Sequence, residues 1–138
     1  MTNLNALLHK KLSQTEIKIW YQTRETFRAV SGIGIKFGIE NGLKVELNVS
    51  HKLVGTLYAE ASSDITCQLE EIFTMMQGEV WSPNGEARPI ISKAGLSHTS
   101  MSVGDIVQVG DQFYSCDMMG FFDVSCFINE TLSDATKH

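Results

Sequence analysis

The sequence contains two prolines, three cysteines and no apolar run near the roughly 18 residues that a membrane-spanning helix requires. With so little proline and no biased tract, nothing in the composition points to disorder. Cys67, Cys116 and Cys126 are odd in number, widely spaced and outside any C-x-x-C or zinc-finger pattern. They fit free thiols in a reducing compartment, and if the segment around Cys67 is helical, Glu70 and Glu71 disfavour a thiolate there. His9, His51 and His98 are scattered, without H-x-x-x-H or an acidic partner at fixed spacing, so no metal is expected. No P-loop or dinucleotide fingerprint occurs, because Gly32-Ile33-Gly34 lacks the third glycine, and no cofactor is expected. There is no G-x-S-x-G elbow to expose a nucleophilic serine. Nothing resembles a secretory signal, since His9, Lys10 and Lys11 interrupt the Leu4, Leu7, Leu8, Leu12 segment, and the expected location is cytoplasmic with no membrane partner.

Positive charge is scarce as well: the net charge is −5. That balance argues against a general nucleic-acid binder, which needs a basic face to displace counterions from phosphates. The charge is split along the chain. Residues 1–40 carry six Lys or Arg against three Glu (+3), and residues 41–138 carry five against thirteen acidic residues (−8). Such a split suits a solvated surface, a head-to-tail association or a basic arm reaching a partner.

What is present is ordinary globular composition, 43% hydrophobic and 20% charged over 138 residues. A chain of that length buries roughly two-thirds of its unfolded surface as one domain without a staple. The pattern predicts a single α+β domain over 1–129 and a tail over 130–138. The antiparallel sheet, of hairpin or meander type, is packed with one central helix and shorter helices. Leu4, Leu7 and Leu8 suggest a helix over 2–12. Residues 16–30 fit both periods and are assigned to a helix. Ile33, Ile35, Phe37 and Ile39 alternate up to Asn41-Gly42, after which Leu43, Val45, Leu47 and Val49 alternate again, which predicts a β-hairpin on a type I′ turn. A third strand is expected over 53–61. Ser62, Ser63 and Asp64 offer N-caps to a helix carrying Ile65, Leu69, Ile72, Phe73 and Met76, closed by Gly78. A turn over 81–85, a short helix within 86–96, and strands over 103–109, 112–116 and 121–124 complete the reading.

Ile17-Lys18-Ile19-Trp20-Tyr21-Gln22-Thr23-Arg24 looks like a homeodomain recognition helix, but Thr23 stands where that helix needs an Asn for adenine. Glu25 follows where a basic continuation belongs, and sixteen residues cannot hold two preceding helices. A different resemblance lies further on. Leu69 to Gln77, Trp81-Ser82, His98 to Ile106 with its Ser100-x-Ser102-Val103-Gly104-Asp105 core, the strand pair Val107 to Cys116 and Gly120-Phe121 resemble small proteins of bacteriophages, plasmids and cyanobacteria related to the YodL-like domain. That resemblance spans roughly 59–124. It implies a mobile-element accessory protein and brings no activity or catalytic residue.

The candidate binding residues are Trp81, Asn84, Arg88, His98, Ser100, Ser102 and Asp105. A Trp beside an Arg in a turn is a typical interface anchor. Hydroxyls and a carboxylate around Gly104 also suit a turn that bonds its own backbone. The leading expectation is a non-enzymatic binding protein with an unidentified protein partner. The alternative is a small-ligand-binding protein or hydrolase with a pocket near His98, Ser100 and Asp105, although triad members so close in sequence seldom reach the needed geometry. A homodimer is expected from the apolar Ile33 to Ile39 arm as an open sheet edge guarded only by Lys36.

Overall fold

The computed structural model describes residues 14–30, 33–60 and 64–130. Among these residues the strands are β1 (Gln14–Gln22), β2 (Val45–Leu47), β3 (His51–Glu60), β4 (Ile106–Val109), β5 (Gln112–Asp117), β6 (Gly120–Asp123) and β7 (Ile128–Glu130). They form one sheet in the order β6-β5-β4-β1-β3-β2-β7. Pairing is antiparallel except at β2, which runs parallel to both β3 and β7. The helices are α1 (Arg24–Val30), α2 (Gly34–Glu40), α3 (Ile65–Met75), α4 (Gly78–Trp81) and α5 (Arg88–Lys93). The fold is α+β, with a mixed rather than purely antiparallel sheet.

β1 is the central strand, and its C-terminal half is buried on both faces. Ile17, Ile19 and Tyr21 join Val107 on one face and meet Leu69, Ile72 and Met76 around α3. Trp20 and Ile106 lie on the other face, in a second cluster with Val30 and Ile35 of α1 and α2. This placement corrects the expected helix over 16–30. β-branched and aromatic residues fill 17–21, where strand packing outweighs the helical spacing, and only 24–30 is helical. The helix expected over 2–12 lies outside the described residues, as does the tail expected over 130–138 apart from Glu130, which ends β7.

The Asn41-Gly42 hairpin is also corrected. Residues 34–40 form α2, and Asn41-Gly42 close that helix. Leu43 N–H donates to the Gly38 carbonyl at 2.8 Å and Gly42 N–H to the Ile39 carbonyl at 3.1 Å, which is the pair of bonds of a Schellman motif. Gly42 has φ +96°. Asn-Gly supplies a positive φ equally well to a helix end and to a hairpin turn, and the i, i+4 pair Ile35 and Ile39 faces the second cluster. Because that arm is a helix, it offers no sheet edge, and the homodimer expectation loses its basis.

The rest of the chain follows its pattern closely. Asp64 caps α3, its side chain accepting the Cys67 N–H at 3.1 Å, although Gly78 opens α4 instead of closing α3. β3, α5, β4, β5 and β6 stand within a few residues of their expected bounds. β7 was not anticipated. None of the helices among the described residues is long and apolar enough to cross a membrane.

Replacing Gly42 by Ala places a Cβ in the left-handed region and is expected to cost about 1 kcal/mol. Equilibrium urea unfolding measures it, and an unchanged midpoint would contradict the helix-end assignment.

Candidate functional site

The segment between α5 and β4 holds four of the seven candidate residues, and its backbone is bonded at nearly every step by other parts of the chain. The Thr99 carbonyl accepts from the Tyr21 hydroxyl at 2.7 Å and from Trp81 Nε1 at 3.0 Å. Met101 N–H donates to the Met76 carbonyl at 3.1 Å. Gln22 Nε2 donates to the Val103 carbonyl at 2.6 Å, and Gly104 N–H to the Cys116 carbonyl at 2.9 Å. A loop pinned this fully cannot choose another path without orphaning buried groups.

Asp105 is the hub of that bonding. Its carboxylate is fully buried and takes Gln22 N–H on Oδ1 at 2.9 Å and Ser102 N–H on Oδ2 at 2.8 Å. His98 Nε2 lies 2.8 Å from Oδ2 and 3.0 Å from Oδ1. The main chain of Asp105 is engaged too, with its N–H on the Ser102 carbonyl at 3.0 Å and its carbonyl accepting Cys116 N–H at 2.8 Å. Burial pushes the carboxyl above the ordinary aspartate value, and His98 and the two backbone donors pull it back. The imidazole stacks on Tyr21, with centroids 4.6 Å apart and planes within 13°, and meets Phe27 at 5.2 Å. Its Nδ1 and Gln22 Oε1 are the two buried side-chain atoms without a hydrogen-bond partner among the described residues.

Gly104 explains the Val-Gly-Asp sequence. It has φ +102°, and a Cβ there would overlap the Gln22 side-chain amide. Only glycine allows Gln22 to lie across the loop. The Gly104 carbonyl accepts from His51 Nε2 at 2.8 Å, so Nε2 carries the proton, and Nδ1 then accepts from the Ser50 hydroxyl at 2.9 Å. Burial lowers the His51 pKa to about 4, which keeps the ring neutral. Burial likewise raises the Tyr21 phenol and pushes the Cys116 thiol up to about 12, with nearby Asp105 adding to both.

The hydroxyls serve the loop. Ser100 Oγ accepts the Gly78 N–H at the start of α4 at 2.7 Å, and Ser102 Oγ donates to the Ser100 carbonyl at 3.0 Å. Trp81 is half-buried against the α3 cluster, with its indole N–H committed to Thr99. Asn84 is exposed on the turn that leads into α5 and Arg88 is exposed at the first position of that helix, and no hydrogen bond or ion pair joins their side chains to His98 or Asp105. The structure therefore brings His98, Ser100, Ser102 and Asp105 into one segment and leaves Asn84 and Arg88 apart from it. Tyr21, Gln22, Ser50 and His51 belong to the site and were missed. Their sequence signal is a polar pair at the end of one strand and another at the start of the next, which becomes readable only once those strands are known to be neighbours. No group of three or more metal-ligating side chains occurs among the described residues.

The chain matches no family model, no curated protein and no solved structure.

His51 makes a pH test possible. Its folded pKa of about 4 lies below the ordinary 6.5, so its contribution is fully present above 6.5 and is lost as pH falls through 4, about 3 kcal/mol in all. Asp105, raised by burial, acts with the opposite sign at low pH, and the difference between wild type and His51→Gln separates the two. Urea unfolding across that window is expected to show a shallower loss in the variant. Parallel profiles would mean that His51 is not buried neutral.

Proposed function

We propose that this chain is a non-enzymatic binding protein with a protein partner, an accessory factor of the kind its YodL-like resemblance implies for phages and plasmids. One observation carries the reading. The Ser-x-Ser-Val-Gly-Asp segment, the most specific part of the resemblance, spends its carboxylate and both hydroxyls on bonds inside the protein. A residue whose polar atoms all hold the fold has none left for substrate. On this reading the motif is a folding signature, and partner recognition belongs to the outer surface. A cytoplasmic location fits both the reading and the free thiols.

A second reading rests on His98. Its Nδ1 has no partner while Nε2 is held by Asp105, which is how an imidazole base is oriented by a carboxylate. On this reading a small ligand or an ester substrate would meet Nδ1, with the Ser100 hydroxyl of the same segment as the nucleophile.

A screen of the purified chain against ester, phosphoester and nucleotide substrates separates the two. No turnover above background is expected. Hydrolysis that disappears in Ser100→Ala while that variant still unfolds cooperatively from a native fold would overturn the binding reading in favour of the second.

A further inference from the structure

The outward face of α3 is unlike the rest of the surface. The helix turns Gln68, Leu69 and Ile72 inward and leaves Cys67, Glu70, Glu71, Thr74 and Met75 exposed. Three shallow hollows border that face. One of about 360 Å³ lies between α3 and the β5–β6 turn, against Phe73, Asp117, Met118 and Phe121. One of about 370 Å³ lies towards β3, against Leu57 and Tyr58. The third, about 380 Å³, runs over the helix to Val80 and shares Glu70 and Thr74 with the first and Glu71 and Met75 with the second. The three are therefore one tract.

Its chemistry is of one sign. Among the described residues, the charged ones that line it are Glu70, Glu71 and Asp117, and no described Lys, Arg or His lines any of the three hollows. None of the three carboxylates makes an ion pair with a described residue. The Cys67 thiol registers this field, raised chiefly by Glu71. Between and beside the charges stand exposed apolar side chains: Met75, Val80, Met118 and Met119, the last 98% exposed. Methionines are flexible and polarizable and adapt to varied apolar partners, which suits them to a recognition surface.

We infer that this tract docks a cationic amphipathic segment of a partner protein, its apolar side chains seated in the hollows and its Lys or Arg residues set against Glu70, Glu71 and Asp117. The inference rests on the binding reading and names the partner's chemistry. Charge decides between occupants. Among the described residues a second copy could offer the α1–α2 face, where exposed Ile33 and Phe37 accompany Arg24, Arg28 and Lys36 against Glu25 and Glu40. That face sums to +1 (three basic less two acidic) and would leave most of the tract's charge unmatched.

The test uses the full chain and a dye-labelled synthetic helix of leucine and lysine at helical spacing, with a leucine and glutamate helix as control. Anisotropy is expected to show binding of the lysine helix that weakens with salt. Glu70→Lys with Glu71→Lys, both exposed positions, should weaken it by about tenfold or more, and Met118→Ser with Met119→Ser should weaken it without removing the salt dependence. Amide shift perturbations should centre on α3 and the β5–β6 turn. Equal binding of the glutamate helix, undiminished binding by the charge-reversed variant, or no binding at low salt overturns the inference. Shifts centred on α1 and α2, or self-association that the charge reversal abolishes, also overturn it but leave a protein-binding function standing. Only turnover in the substrate screen removes that function itself.

Discussion

The Asp105 carboxylate takes one donor from the end of β1 and two from its own loop, and the arrangement of strands and loops around it follows from where those donors lie. Gln22 N–H fixes the end of the central strand, Ser102 N–H fixes the loop, and His98 fixes the exit from α5. Through its own carbonyl Asp105 also receives β5. Burying a carboxylate is expensive, and its raised pKa reflects that cost. What the cost secures is a single path for residues 98–105. Every alternative path strands at least one of the donors, and a buried donor without a partner costs about 1–3 kcal/mol. His51 and Gln22 reinforce the same path by holding the carbonyls on either side of the Gly104 Cα.

Some of this was legible in the residues and some was not, for physical reasons. α3 was readable because a cap and a 3.6-residue period agree at Asp64 to Met76, and β4 to β6 because Gly104, Gly110 and Gly120 stand in their turns. The stretch 33–49 was misread because Ile33, Ile35, Phe37 and Ile39 satisfy period two while Gly34, Gly38 and the pair Ile35 and Ile39 satisfy period four. Asn41-Gly42 could not arbitrate, since both outcomes need its positive φ. The polar cluster was visible as His98, Ser100, Ser102 and Asp105. Its other half was not, because Gln22 stands 83 residues from Asp105 and His51 stands 53 from Gly104. Only the antiparallel β1–β3 and β1–β4 pairings bring them in.

The interior and the exterior of the protein thus divide the chemistry between them. The polar groups that look reactive in the sequence are enclosed and engaged, apart from one imidazole nitrogen and one amide oxygen. The outer face of α3 and the β5–β6 turn instead carry carboxylates that make no ion pair among the described residues, together with exposed methionines. The two regions touch at Cys116, whose N–H bonds the Asp105 carbonyl and whose side chain lines the hollow beside Met118. The hub therefore sets the position of the strand that ends in the exposed turn.

The most direct measurement of this dependence is the urea unfolding free energy of Asp105→Asn beside that of Ser100→Ala. An asparagine keeps the shape but offers one acceptor oxygen where three donors converge, and its amide turns a donor on a donor. The expected loss is about 3 kcal/mol or more, against about 1 kcal/mol for Ser100→Ala. If Asp105→Asn unfolds within about 0.5 kcal/mol of the wild type, a range typical of neutral surface changes, the carboxylate is not what holds the loop, and the dependence of the fold on Asp105 is wrong.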